Sequence, residues 1–252
     1  MKSAIVIPAR YASSRLPGKL LLPLAGKPIL QHAYERAKQS CAERVIIATD
    51  DERIADAARK FDAECIMTRA DHQSGADRVA EAAAGLDADI IVNLQGDEPE
   101  IDPASLDALI ALQARAGAFA STLACPFPKS GAVRPEDPNC VKAVVARPAA
   151  DGVRYALYFS RALTPYPRDD GGKARDPAAW LHHIGVYAFT RKTLASFAAA
   201  PPSPLEICEK LEQLRILEMG ERIAVAVVER CASGIDTAED YEKAKKRFQS
   251  QA

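Results

Sequence analysis

Ala4-Ile5-Val6-Ile7-Pro8-Ala9 runs without a break into Arg10-Tyr11-Ala12-Ser13-Ser14-Arg15-Leu16-Pro17-Gly18-Lys19. The first six residues are continuously apolar, as in a parallel strand covered on both faces; a half-exposed strand would alternate. The loop that follows holds three cations, two serine hydroxyls and a Pro-Gly turn. Open α/β sheets bind ligands beyond the carboxyl ends of their strands. Three cations on one such loop suit a polyanion, most simply a nucleoside triphosphate.

Outward from this stretch, strand and helix patterns alternate. Ile29–Gln39 reads as a helix, Arg44–Thr49 as a strand, Asp51–Phe61 as a helix and Glu64–Thr68 as a short strand. Ser74–Ala84 is helical, Asp89–Gln95 a strand, and Asp102 caps a helix that starts with Pro103 and runs to Leu112. This order predicts an α/β fold with a doubly wound, mostly parallel sheet. After Ala118 the rhythm changes. Ala120–Pro126, Val141–Ala146, Val153–Phe159 and His182–Phe189 are strand candidates, and 164–177 is a Pro- and Gly-rich loop. We expect a single domain over 1–252, with a smaller strand-rich subdomain inserted at about 126–190. Leu205–Met219 reads as one helix with Ile207, Leu211 and Leu214 on a stripe, then a strand at Ile223–Val228 and a last helix at Thr237–Phe248.

The chain has 252 residues, 33 basic and 34 acidic, for a formal net charge of -1, so no global field attracts nucleic acid. The basic run Lys243, Lys245, Lys246 and Arg247 falls in the last turns of a helix, where it complements the dipole. No apolar segment approaches a membrane span, and the apolar start is too short for a signal peptide. We therefore expect a cytoplasmic protein without membrane insertion. The six cysteines are scattered and read as reduced thiols, with no zinc-ligand spacing.

The loop at Arg10–Lys19 is not a P-loop, since no glycine stands at position 13 and Leu20 follows Lys19. A dinucleotide G-x-G-x-x-G fingerprint is absent. Asp87-Ala88-Asp89 has the letters of a glycosyltransferase acidic pair, but it precedes its strand and lies at the wrong sheet edge. Asp97, in Gln95-Gly96-Asp97-Glu98-Pro99, would project beyond the sheet; Asp236, in Gly234-Ile235-Asp236-Thr237, precedes the last helix. Together they could supply the carboxylates of a magnesium site. Each also has a plain structural reading, Asp97 as a turn residue and Asp236 as the cap of the last helix with Glu239.

IPARYASSRLPGK (7–19) with LAGKPIL (24–30) resembles the signature of the sugar cytidylyltransferases, in the branch that acts on 3-deoxy-manno-octulosonate (KDO). MTRADHQSGADR (67–78), VNLQGDEP (92–99), PSPLEICEKLEQLR and GIDTAED (234–240) extend the resemblance over nearly the whole chain. The sialic-acid relatives have a glycine pair and no L-P-G-K after I-P-A-R. The resemblance implies a Rossmann-like nucleotidyltransferase that joins CTP and KDO into CMP-KDO and pyrophosphate for lipopolysaccharide synthesis, with Mg2+ as cofactor and a homodimer as its assembly. Val153–Phe159 and Ile184–Phe189 are the apolar stretches expected to form the dimer surface.

It also implies residue roles. Arg10, Ser13, Arg15, Lys19, Ser74 and Gln95 would bind the nucleotide, with Lys19, Arg10 and Asp97 catalytic and Asp97 and Asp236 holding the metal. Arg78, Arg168, His183, Tyr187, Glu212 and Gln213 would bind the sugar acid. Arg161 competes with Arg168 for the sugar carboxylate. His182 stands where the family motif R-H-L-G-I-Y has arginine. A plain reading remains for each: Ser74 as a helix cap, a strand histidine as a structural residue, Glu212 and Gln213 as a solvated helix face. Other sugar acids (an 8-amino KDO, a sialic-acid-like keto acid) and a non-catalytic nucleotide binder are the alternatives.

Overall fold

A computed structural model describes residues 1–13, 15–72, 74–131, 133–231 and 234–250. Ser14 and Gln73 lie outside these. The chain divides into two compact units, residues 1–110 with 232–252, and residues 111–231.

The first unit is built on four parallel strands. Strand β1 (Ser3–Ala9) is buried at every position, as its unbroken apolar run requires. A small hairpin follows, β2 (Pro23–Leu24) and β3 (Lys27–Pro28), and leads into helix α1 (Ile29–Ala37). Then come β4 (Arg44–Thr49), α2 (Glu52–Arg59), β5 (Glu64–Met67), α3 (Gly75–Ala83), β6 (Ile90–Asn93) and α4 (Pro103–Ala116), which runs on into the second unit. β1 lies between β6 and β4, and β4 pairs with β5, all in parallel register. The helices start where the sequence offers caps: Asp51 accepts from Arg53 N at 3.0 Å, and Ser74 and Asp77 form a capping box.

The second unit holds β7 (Ala120–Pro126), β8 (Lys142–Val145), β9 (Ala156–Ser160), β10 (Leu181–Thr190), α5 (Arg191–Ala199), α6 (Pro204–Glu209), α7 (Gln213–Glu218) and β11 (Ile223–Val227). β7 pairs parallel with β11 and antiparallel with β10; β8 bridges β10 and β9, both antiparallel. The chain then returns to the first unit as α8 (Ala238–Gln249). The architecture is thus α/β, parallel in its first unit and mixed in its second.

Three expectations fail. The helix over 205–219 is two helices, because Lys210 adopts φ 54, ψ 48 and ends α6. The break is stabilised from outside: Arg161 Nε donates to the Glu209 carbonyl at 2.7 Å, and the Glu209 carboxylate accepts from Ser160 Oγ at 3.0 Å and Arg161 N at 2.6 Å. Ile207 is consequently exposed while Leu211 and Leu214 are buried. Second, Cys125 and Cys231 form a disulfide across 106 residues, a pairing made by strand adjacency that no local spacing encodes. Third, the two stretches expected to expose apolar residues mostly bury them: Val153, Phe159, Ile184, Val186 and Phe189 are buried, while Leu157 within the first stretch stays exposed at 64%.

Candidate functional site

β1 and β6 are parallel neighbours, so the loops after them leave the same edge of the sheet. The loop after β1 folds back on itself. Gly18, at φ +64, donates its N–H to the Tyr11 carbonyl at 3.3 Å, and a Cβ there would meet the Tyr11 ring at 3.2–3.4 Å. The Arg53 guanidinium stacks 3.3 Å above the centre of that ring. Ser13 Oγ accepts from Leu16 N at 3.4 Å. This folding places Lys19 in a short 3-10 turn (Lys19–Leu21) with its side chain only 11% exposed.

The loop after β6 turns at Gly96, where a Cβ would press on Leu30 and Leu20 at 3.1–3.3 Å. Asp97 follows and pairs with the Lys19 ammonium. The segment before α8 joins them. Ile235 N donates to the Asp97 carbonyl at 3.0 Å, and the Ile235 side chain anchors among Leu24, Ile29 and Ala244. Asp236 Oδ1 thereby reaches Lys19 Nζ at 3.0 Å and Arg15 Nη2 at 3.3 Å. Asp236 is not the cap of the last helix; Thr237 holds that position, in a capping box with Asp240. Burial opposes the charge on Lys19, but the two carboxylates outweigh it and raise its pKa above the usual lysine value.

Glu98 belongs to this cluster and escaped sequence reasoning. Its Oε2 is buried without a hydrogen-bond partner among the described residues. Burial, then the charges of Asp97 and Asp236, push its carboxyl up to about 8. Its Oε1 lies where Gly234 leaves room, since a Cβ on Gly234 would stand 2.9 Å from it. The glycine in Gly234-Ile235-Asp236 was the available signal.

The other nucleotide candidates are mixed. Arg10 is exposed and its side chain pairs with no described residue. Ser74 is occupied as the cap of α3, and Gln95 lies beside it: a Cβ on Gly75 would stand 3.4 Å from Pro8 and 4.0 Å from Gln95 Oε1. Arg78, expected at a sugar, is buried; it pairs with Asp50 at 3.2 Å and donates to Thr68 Oγ1 at 2.5 Å, a structural engagement.

In the second unit His183 Nε2 lies 3.0 Å from Thr122 Oγ1, and its ring stands 5.5 Å from that of Tyr187. Burial, then the neighbouring His182, lowers the His183 pKa to about 3. Burial, then the Glu212 carboxylate, raises the Tyr187 hydroxyl well above the usual phenol value. Gln213 is not on a solvated face: it is 4% exposed, and its Nε2 is buried without a partner among the described residues. Such an orphaned donor suits a site that a polar ligand completes. Arg168 is exposed in a short turn and its side chain forms no ion pair with a described residue, whereas Arg161 is committed to the Glu209 and Pro138 carbonyls.

Residues 4–223 match the cytidylyltransferase family. A 3-deoxy-manno-octulosonate cytidylyltransferase of Rhodopirellula baltica is 49% identical over the full length of both chains, and one of Trichlorobacter lovleyi is 44% identical over 98% of this chain and 99% of its own. Among solved structures, a CMP:2-keto-3-deoxy-manno-octonic acid synthetase in complex with CTP superposes with a TM-score of 0.88 at 39% identity, covering all of both chains. A Methanothermobacter nucleotidyl transferase, 14% identical with a TM-score of 0.64 over 100% of this chain and 99% of its own, shares the fold alone. With its cation loop, its paired aspartates and this full-length similarity, the chain belongs to the cytidylyltransferase family, in the group of 3-deoxy-manno-octulosonate cytidylyltransferases.

Proposed function

We propose that this chain transfers CMP from CTP to KDO, releasing pyrophosphate, to activate the sugar for lipopolysaccharide synthesis. The observation that carries the reading is the meeting of Lys19, Asp97 and Asp236 at the carboxyl edge of the β1–β6 pair. The anomeric 2-hydroxyl of the sugar attacks the α-phosphorus in line with the departing pyrophosphate, a reaction that asks for placement and charge stabilisation. Arg10, Arg15 and Lys19 hold the triphosphate, and the raised pKa of Lys19 keeps it a fixed positive charge. Ser13 shapes the loop; Ser74 and Gln95, beside the start of α3, face the nucleotide. His183, neutral at physiological pH, with Tyr187, Glu212 and Gln213 binds the sugar hydroxyls. Arg168 rather than Arg161 takes the sugar carboxylate, because Arg161 is already engaged.

The residues present fit magnesium: two hard carboxylate oxygens approach a single cationic atom, the Lys19 ammonium, from different loops. Asp97 and Asp236 would hold the ion, which when bound supplies charge neutralisation on the phosphates and polarisation of the attacking hydroxyl. No helix among the described residues is long and apolar enough to cross a membrane. We place the reaction in the cytoplasm, with a homodimer as the working assembly.

The test is a pyrophosphate-release assay crossing four nucleoside triphosphates with a panel of keto-sugar acids, with and without EDTA. CTP with KDO should give the highest turnover, and chelation should abolish it until Mg2+ is restored. Release with a different sugar acid alone would reassign the substrate, CTP binding without release would make the chain a nucleotide binder, and turnover unaffected by excess chelator would remove the two-carboxylate metal site.

A further inference from the structure

Three soft side chains that the proposed chemistry does not use meet in the second unit. His182 on β10 is the direct antiparallel partner of Cys125 on β7, so the two side chains rise on one face. β11 lies along the other side of β7, and the chain just beyond it brings Cys231 to Cys125, with a Cα–Cα separation of 5.8 Å. One ligand atom from each of Cys125, His182 and Cys231 lies within 4.8 Å of the other two. Cys125 is buried, and the His182 ring stacks on Phe127 with centroids 4.9 Å apart, so the cluster has a fixed wall. Burial, then the charge of Lys142, lowers the His182 pKa to about 4, which leaves a neutral imidazole. The ligand spacing that announces a zinc site in sequence is missing because β7, β10 and the segment after β11 each supply one donor.

We propose that the dithiol form of this cluster binds Zn2+ through Cys125 Sγ, Cys231 Sγ and a ring nitrogen of His182, with a fourth position left open. Two thiolates and an imidazole are the donors a tetrahedral zinc centre prefers, whereas the carboxylates of Asp97 and Asp236 suit a hard cation. Binding releases two protons, one from each thiol; the imidazole gives up none. In the disulfide form each sulfur is bonded to the other and the site is closed. A dithiol or phosphine reductant opens it: the S–S bond breaks and each sulfur ends as a thiol, the dithiol giving up two electrons and two protons as it closes to its own disulfide, or the phosphine giving up two electrons and taking oxygen from a water that supplies the two protons. The same two cysteines thus alternate between a cross-link and a metal site according to redox state.

The experiment uses the full chain with Co2+ as the spectroscopic probe. Protein reduced with a phosphine and freed of it should bind one equivalent showing a thiolate-to-cobalt charge-transfer band and the intense visible bands of a tetrahedral site, and Zn2+ should bleach both. Oxidised protein should show neither. His182→Ala should weaken binding by at least about tenfold, as loss of one site residue does. Cys125→Ser removes a buried group and can compromise folding, so Cys231→Ser, at a half-buried position, is measured beside it with circular dichroism as the folding check. Each should reduce the charge-transfer band by at least half. No thiolate band in the reduced protein would overturn the proposal, as would a band that survives both serine variants, since Cys41, Cys65, Cys140 and Cys208 would then be its source. A disulfide that stays closed to the phosphine in the folded chain, read by alkylation and mass spectrometry, would overturn it equally.

Discussion

An ammonium group gripped by two carboxylates does not release its proton near neutral pH, so in the proposed reaction Lys19 would act on a phosphate through charge alone. Lys19→Ala should therefore lower turnover by about 10²–10³-fold, the usual loss when one electrostatic stabiliser is removed. Asp97→Ala should do at least as much and also weaken Mg2+ dependence. Thermal melts should barely move, and near-normal turnover in either variant would take that residue out of the mechanism. His183 makes a stability prediction. Its pKa is about 3 in the folded chain against about 6.5 when unfolded. The unfolded state binds the extra proton between those values, so the contribution is complete above pH 6.5 and is lost as pH falls toward 3. The slope is about 1.4 kcal/mol per pH unit at most. A His183→Gln variant should lose stability less steeply on acidification, measured by urea denaturation at stepped pH; equal slopes would count against a buried neutral imidazole. At this scale Lys19 and Asp97 are legible in the sequence because each directly follows a turn glycine, Gly18 and Gly96, and Asp236 because a glycine stands two residues before it. Glu98 is hidden, because an acid beside Asp97 and Pro99 reads as solvated until Gly234 is seen to cover it.

The elements most legible in the sequence are those whose burial is uniform or whose caps are local: β1, β4, α2 and α3. The break between α6 and α7 is not, since the apolar stripe through Ile207, Leu211 and Leu214 continues across Lys210 and it is Arg161, just past the end of β9, that donates to the Glu209 carbonyl. A second arginine holds the broken pair together. Arg215 on α7 bonds Glu206 on α6, Nε to Oε2 at 2.7 Å, and donates from Nη1 to the Phe197 and Ala200 carbonyls at the end of α5, at 3.2 and 2.9 Å. Both charged side chains are buried. Arg215→Ala leaves Glu206 without its counter-charge and should cost about 3–5 kcal/mol in chemical denaturation. A loss under about 1 kcal/mol would mean that the helices hold their positions by apolar packing.

The α/β class follows from the alternation of patterns, and the change of rhythm after Ala118 falls close to the start of the second unit at Ala111, but two features of the whole chain do not show in the sequence: the Cys125–Cys231 bond and which apolar residues stay exposed. Leu157 on β9 and Leu205 and Ile207 on α6 are exposed at 64%, 39% and 56%, on elements that Glu209 ties together. Exposed apolar side chains of this size favour a partner surface. The proposed dimer should sediment as such at micromolar concentration, and Leu157→Glu with Ile207→Glu should give monomers; a wild-type monomer under these conditions would refute the assembly. The chain leaves the first unit at Ile110 and re-enters it at residue 232, so Asp97 and Asp236 become neighbours only after every residue of the second unit has been made. A nascent chain on the ribosome can complete the strands of its first unit long before it owns the second aspartate. In the proposed mechanism competence is thus withheld until residue 236 has been made, and a fragment released before it would hold the nucleotide loop without the second carboxylate.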